Sequence, residues 1–135
     1  MSYTNTFIRV AQDSKTAVAV VPPERAAGKT VAAWQYELLA AHPYQLTERE
    51  LYFRVHCGRK EISAREAKAQ RKEILMEIFA KPQACLRASP LPKSYGWGVH
   101  YDAEGRIGLV GVESEEYRKL SESGLKQVYA MRSKR

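Results

Sequence analysis

The sequence predicts an α+β fold built on a largely antiparallel sheet. Apolar residues recur at helical spacing in some segments and alternate in others, without the regular strand–helix–strand order of a parallel sheet. Residues 95–111 have the pattern of a β-hairpin, and two segments begin with the capping-box pattern of a helix. The chain of 135 residues contains no repeat, low-complexity tract or linker. We therefore expect residues 1–135 to form a single domain with a short basic C-terminal end.

The first third of the chain predicts a strand, a loop and a helix. Residues 6–11 are expected as a short strand, and residues 17–21 are a second extended apolar run. Pro22-Pro23 ends that run, because proline cannot donate to a strand ladder. Thr30 suits the N-cap of a helix over about 30–41, in which apolar side chains recur every three or four residues.

Residues 47–57 combine a helix-start signal with strand-like alternation. Thr47-Glu48-Arg49-Glu50 matches a capping box, so we expect a single helical turn there. From Leu51 to Cys57 apolar and polar residues alternate, which predicts a strand with its apolar side chains inward.

The longest predicted helix spans about 63–80. Ser63-Ala64-Arg65-Glu66 is a second capping box, and Pro82 is the stop signal. Only the second half carries an apolar stripe, so we expect that half alone to be well buried. Residues 85–87 predict a short strand, and two prolines make 88–94 a constrained loop.

Two short elements are expected after the hairpin. Ser114 suits the N-cap of a third helix over about 114–122, with acidic residues at its positive end. Gly124 closes that helix, and residues 125–131 predict a last strand.

The hairpin has two different faces. Its turn, 102–105, ends in a glycine at the position that favours a left-handed backbone, with Asp102 closing opposite Arg106. One face is then expected in the core and carries large apolar side chains, namely Trp97, Val99, Tyr101, Ile107 and Leu109. The other face, called here the glycine face, is almost bare and consists of Gly96, Gly98, His100, Gly108 and Val110.

The glycine face is the predicted binding site. Several glycines on one face indicate that something approaches the backbone closely, and arginine with aromatic groups can bind an anion or a stacked planar molecule. We expect a non-enzymatic module, without cofactor, for a small anionic or planar ligand. The ligand-binding residues would be Arg87, Tyr95, Gly96, Gly98, His100, Arg106 and Gly108. The same polar groups would equally suit an ordinary rim around the hairpin.

The charge pattern gives a second hypothesis. The net charge of +7 is concentrated in residues 118–135, which hold six basic residues against one acidic residue. Such an end either contacts phosphate or is a solvated tail that aids solubility. The alternative function is therefore weak, sequence-tolerant binding of nucleic acid through Lys126, Arg132, Lys134 and Arg135.

The cysteines give a third hypothesis. Two cysteines suit a reducing cytosol better than a disulfide scaffold. A thiol-dependent enzyme would need an accessible cysteine beside a base, and Cys85 with His100 is the pair that the sequence offers. A buried, inert cysteine is the commoner outcome.

Other chemistries are not supported. Gly28-Lys29-Thr30 suggests a phosphate loop, but the glycine required five residues earlier is Pro23. The histidines His42, His56 and His100 form no i, i+4 pair, so we expect no metal site. The chain has no apolar run long enough to span a membrane, and its start does not match a signal peptide.

Several segments together resemble a family of small bacterial proteins of unknown function. The most specific are Cys85-Leu86-Arg87 followed by Ser89-Pro90-Leu91, and Tyr95-Gly96-Trp97-Gly98 followed by His100. Others span nearly the whole chain, from Val21-Pro22-Pro23-Glu24 to Ala130-Met131-Arg132-Ser133-Lys134-Arg135. The resemblance implies a stand-alone domain of the bacterial cytosol. It implies no activity, cofactor or catalytic residue.

Overall fold

A four-stranded sheet lies at the centre of the computed structural model, which describes residues 3–26 and 28–133. The strands are β1 (Thr6–Arg9), β2 (Trp97–Tyr101), β3 (Ile107–Gly111) and β4 (Lys126–Tyr129). Their spatial order is β3-β2-β1-β4. Strand β1 is antiparallel to β2 and parallel to β4, so the α+β prediction with a largely antiparallel sheet is confirmed.

The described helices all lie between β1 and β4 along the chain. In the described residues they are α1 (Val31–Ala41), α2 (Glu48–Arg59), α3 (Ala64–Ala69), α4 (Arg71–Phe79), α5 (Pro90–Ser94) and α6 (Glu115–Ser121). A single 3-10 turn, Leu86–Ala88, comes before α5. Thr30 and Ser114 cap α1 and α6 as expected, each accepting a backbone N–H three residues ahead.

The hairpin of β2 and β3 has the predicted register. Tyr101 pairs with Ile107 and Val99 pairs with Leu109. The turn is closed by the Asp102 N–H, which donates to the Arg106 carbonyl at 2.9 Å. Gly105 has the left-handed backbone that the turn requires, with φ of 79°.

The main core lies on one face of the sheet. Val99, Tyr101 and Ile107 are fully buried there, among apolar side chains from α1 and α2. Trp97 and Leu109 lie on the same face but are only half-buried, so the expectation that both belong to the core is met in part. The Trp97 indole N–H donates to the Val20 carbonyl at 2.9 Å near the surface.

The predicted strand over 51–57 is wrong, because these residues form most of α2. Thr47 caps this helix through the Glu50 N–H, so the capping box starts a helix of 12 residues rather than a single turn. Leu51 and Val55 join the main core, whereas Phe53 and Cys57 belong to a second cluster with α4. The alternation therefore reflects two interleaved i, i+4 stripes on a helix buried along two sides.

Two other segments differ from their predictions. The helix expected over 63–80 is divided into α3 and α4 at Gln70, whose φ of −113° and ψ of 23° leave the helical region. Residues 85–94, expected as a strand and a loop, form the 3-10 turn and α5. The apolar run over residues 17–21 lies beside the start of β2, where the Val20 N–H donates to the Tyr95 carbonyl.

Candidate functional site

The glycine face is filled by aromatic rings of the protein itself. A Cβ atom at Gly98 would lie 2.7 Å from the Phe7 ring and 2.8 Å from the Tyr117 ring, and one at Gly108 would overlap the Tyr44 ring. The Phe7 and Tyr117 rings meet edge to face, with their centres 5.1 Å apart. The close approach that the glycines indicate is thus made by β1, α6 and the segment between α1 and α2.

His100 also has a partner on this face. Its Nδ1 lies 2.9 Å from the Tyr44 hydroxyl, and the two rings meet nearly at right angles. Burial lowers the pKa of His100, against the opposing effect of the Asp102 and Glu116 carboxylates. The imidazole therefore serves to hold Tyr44 over Gly108.

The predicted ligand-binding residues are spread over several places. Arg87 donates to the Tyr129 carbonyl at 2.7 Å, near β4, whereas Arg106 pairs with Glu104 at the hairpin turn. Residues 16–19 cover Gly96. In the same segment the Val20 N–H donates to the Tyr95 carbonyl. The structure does not bring these groups together around one space, and their role in binding a ligand stays a prediction.

Cys85 and His100 lie on opposite faces of the sheet. The Cys85 thiol is 3.8 Å from the Tyr3 hydroxyl, and the Tyr3 ring packs against Tyr101 at 5.3 Å. His100 precedes Tyr101 in β2, so its side chain points to the other face. The geometry does not assemble this pair as a thiol and its base.

The structure describes two of the four basic residues that were predicted to bind nucleic acid. Lys126 is exposed in β4, and Arg132 donates to the Gln12 side chain at 3.1 Å. Lys134 and Arg135 lie outside the described residues. Nucleic-acid binding through this segment stays a prediction.

A cleft elsewhere in the molecule has the properties of a binding site. It lies between the start of α1, α2, the end of α4 and residues 81–90, and we call it the α2 cleft. Its volume is about 510 Å³, within the range of small-molecule sites. Apolar side chains form much of its wall, namely Val31, Val55, Ile78, Ala84, Ala88 and Pro90.

Gln35 and Ser89 are the buried polar residues of this wall, and Gln35 is only 6% exposed. The Ser89 oxygen accepts the Leu91 N–H, and the Ser89 hydroxyl donates to Gln35 Oε1 at 2.7 Å. Since the amide oxygen is held in this way, the NH₂ group of Gln35 is left to find an acceptor elsewhere. In residues 3–26 and 28–133 that NH₂ group makes no hydrogen bond. It is available to an acceptor in the cleft.

Positive charge surrounds the α2 cleft. Three cationic side chains, Arg59, Lys60 and Lys81, line it against a single carboxylate, Glu77. The start of α1 also contributes, because Val31 is its first residue and its first turn contains no acidic side chain. A helix N-terminus carries partial positive charge, so the cleft favours an anion.

A buried carboxyl group supports the wall at Tyr52. Glu48 is 3% exposed, and its Oε1 lies 2.9 Å from the Tyr52 hydroxyl and 3.2 Å from the Leu86 N–H. The Tyr52 hydroxyl is also 2.5 Å from the Ala84 carbonyl, yet it has one proton for two acceptors. A protonated Glu48 would supply a second proton. Burial raises the pKa of Glu48, which favours that state, while the hydrogen bonds from Tyr52 and Leu86 oppose the shift.

A second, smaller cleft adjoins the first. Its volume is about 360 Å³, and it shares Tyr52, Lys81, Gln83 and Cys85 with the α2 cleft. Cys85 is half-buried, lines both spaces and is a free cysteine.

Two absences are limited to the part of the chain that the structure describes. No group of three or more His, Cys, Asp or Glu side chains there is arranged to hold a metal ion. None of the helices described combines the length and the apolar character that crossing a membrane requires.

Sequence reasoning missed the α2 cleft, although one signal pointed to it. Gln35 follows Ala32 by three residues and precedes Leu39 by four, and all three are buried. A polar side chain within the apolar stripe of a helix needs a partner, which marks it as a candidate site residue.

The structure defines a small α+β fold with a partly apolar cleft that has a basic rim. The whole chain, residues 1–135, matches the model of the family described as "Family of unknown function (DUF6157)", and the chain belongs to that family. The comparisons found no matching curated protein and no matching solved structure.

Proposed function

We propose that this protein is a binding module for a small anionic ligand, and that the ligand occupies the α2 cleft. The Gln35 NH₂ group carries the proposal, because it belongs to a buried residue of the cleft wall and has no acceptor among the described residues. An anionic oxygen accepts strongly from such donors.

Charge and shape support the same ligand class. The basic rim and the start of α1 favour an anion, and the apolar wall favours a ligand with an apolar body. Carboxylates or phosphates on a small apolar framework fit both requirements.

The proposal keeps the anionic ligand expected from the sequence but assigns it to another site. On the glycine face the rings of Phe7, Tyr44 and Tyr117 already occupy the space above the strands. The α2 cleft combines an accessible volume with donors that have no acceptor among the described residues.

Location in the bacterial cytoplasm is part of the same proposal. Cys57 and Cys85 are both free, which suits a reducing compartment. The resemblance of the motif segments supports a bacterial source.

Calorimetry with phenyl phosphate and with neutral benzyl alcohol tests the proposal. We expect the native protein to bind phenyl phosphate in preference. The Arg59→Gln/Lys60→Gln variant, which loses two charges of the cleft, should bind it about tenfold more weakly at low salt. Lys15→Gln/Lys119→Gln loses two exposed charges elsewhere and is the matched control, with unchanged affinity. Equal affinities in all three proteins, or no preference for the anion, would contradict the proposal.

A further inference from the structure

We propose that Cys85 forms a mixed disulfide with an anionic low-molecular-weight disulfide held in the α2 cleft. This inference rests on the proposed function, since the same basic residues and the same Gln35 donors would hold the anionic part. It adds the class of compound and the atom that reacts.

The two cysteines of the chain lie in different surroundings. Cys57 is buried in the second apolar cluster with Phe53 and Ile74, where burial raises the pKa of its thiol. Cys85 is half-buried at the border of both clefts, and its thiol has one hydrogen-bonding contact in the described residues, with Tyr3 at 3.8 Å. Cys57 lines a separate cleft beside α3 and α4, but Cys85 is the less buried of the two cysteines and the one that lines the α2 cleft.

An independent feature of the same cleft points to a ligand. Gln35 is 6% exposed, lines the α2 cleft and leaves its NH₂ group without an acceptor in the described part of the chain. Cys85 and Gln35 thus belong to the wall of one cavity. A ligand that accepts from Gln35 brings its other groups within the same space as the thiol.

The charge of the cleft selects among disulfides. Arg59 and Lys60 line it from the end of α2, and Lys81 lines it from the segment that leads to Cys85. Clefts of one sign raise the local concentration of oppositely charged compounds. Disulfides that carry carboxylates are therefore favoured over neutral ones.

The reaction is a thiol–disulfide exchange. The Cys85 sulfur, having lost its proton, attacks one sulfur of the bound disulfide. The S–S bond of the ligand breaks as the new S–S bond forms, and the released thiolate takes up the proton that Cys85 lost. Cys85 is oxidised, one half of the ligand is reduced to a free thiol, and the disulfide itself is the oxidant.

The test compares two disulfide probes on the native protein. Dithiobis(nitrobenzoate) carries two carboxylates and dithiodipyridine is neutral, and both release a coloured product. We measure both rates at low salt and locate the modified cysteine by mass spectrometry. We expect Cys85 to be modified first. The ratio of the anionic to the neutral rate should fall about tenfold in Arg59→Gln/Lys60→Gln.

A matched control keeps the comparison specific. Lys15→Gln/Lys119→Gln has the same net charge as the cleft variant and should retain the native rate ratio. A rate ratio that is the same in the native protein and the cleft variant, or modification of Cys57 before Cys85, would overturn the inference.

Cys85→Ser separates this inference from the proposed function. If Cys85→Ser binds phenyl phosphate while native Cys85 shows no preference for the anionic probe, the disulfide proposal is wrong and the proposed function stands. If phenyl phosphate does not bind and the anionic probe has no advantage, both proposals are wrong.

Discussion

The glycine face and the α2 cleft differ in whether the protein itself fills the available space and pairs the polar groups. On the glycine face, missing side chains make room for Phe7, Tyr44 and Tyr117, so the protein fills its own gap. In the α2 cleft, the NH₂ group of Gln35 has no hydrogen-bond acceptor among the described residues. Bare backbone therefore indicates close packing of any kind, whereas a donor on a buried residue that finds no acceptor in the protein points more directly to a ligand.

The two regions also differ in how they are assembled. The glycine face comes from two strands joined by a short turn, so its composition is visible in one stretch of sequence. The α2 cleft comes from the start of α1, from α2, from the end of α4 and from residues 81–90, which meet only after folding.

The largest effect is expected from filling the glycine face. Gly98→Ala places a methyl group 2.7 Å from the Phe7 ring, and Phe7 is fully buried and cannot move aside. We expect the free energy of unfolding to fall by about 1–3 kcal/mol, as for overpacking of a core. Urea unfolding measures it. Gly124→Ala, at a position with nothing within 4 Å, is the control and should change stability by less than about 0.5 kcal/mol. A Gly98→Ala protein as stable as the parent would show that the face is open.

The buried carboxyl group of Glu48, beside the cleft wall, is expected to make the free energy of unfolding depend on pH. The pKa of Glu48 is raised by burial in the folded protein above its ordinary value of 4.5. Its protonated form then contributes stability below pH 4.5, and this contribution is lost as the pH rises through the folded pKa. Unfolding at several pH values should show that the native protein loses stability over that range relative to Glu48→Gln. A relative stability that rises with pH would mean that Glu48 is ionised in the fold.

A smaller effect is expected from the polar contact on the glycine face. Tyr44→Phe removes the hydroxyl that lies 2.9 Å from His100 Nδ1 but keeps the ring over Gly108. We expect a loss of about 1 kcal/mol, the usual net value of one hydrogen bond. Thermal unfolding checks this. A loss well above that value would indicate that the hydroxyl, rather than the ring, closes the face.

The sequence predicted best where structure is local. The hairpin register follows from Asp102, whose side chain accepts from the Glu104 and Arg106 N–H groups, and from the left-handed Gly105. Both signals lie within four residues, so tertiary contacts were not needed to recognise them.

Helix α2 shows where local pattern is insufficient. Leu51 and Val55 face the sheet while Phe53 and Cys57 face α4, and together they imitate strand alternation. Only the position of α4 distinguishes the two interpretations. The same holds for the α2 cleft, because Gln35 and Cys85 are 50 positions apart in the sequence and line one space only in the folded chain.

Nuclear magnetic resonance with phenyl phosphate tests most directly whether the α2 cleft, rather than the glycine face, binds the ligand. Amide spectra recorded during titration report both regions in one sample. We expect saturable shifts of the Gln35 side-chain NH₂ group and of the Val31 and Ala88 amides, with Gly98 and Gly108 unchanged. Shifts at Gly98 and Gly108 without a change at Gln35 would contradict the account and return the binding site to the glycine face.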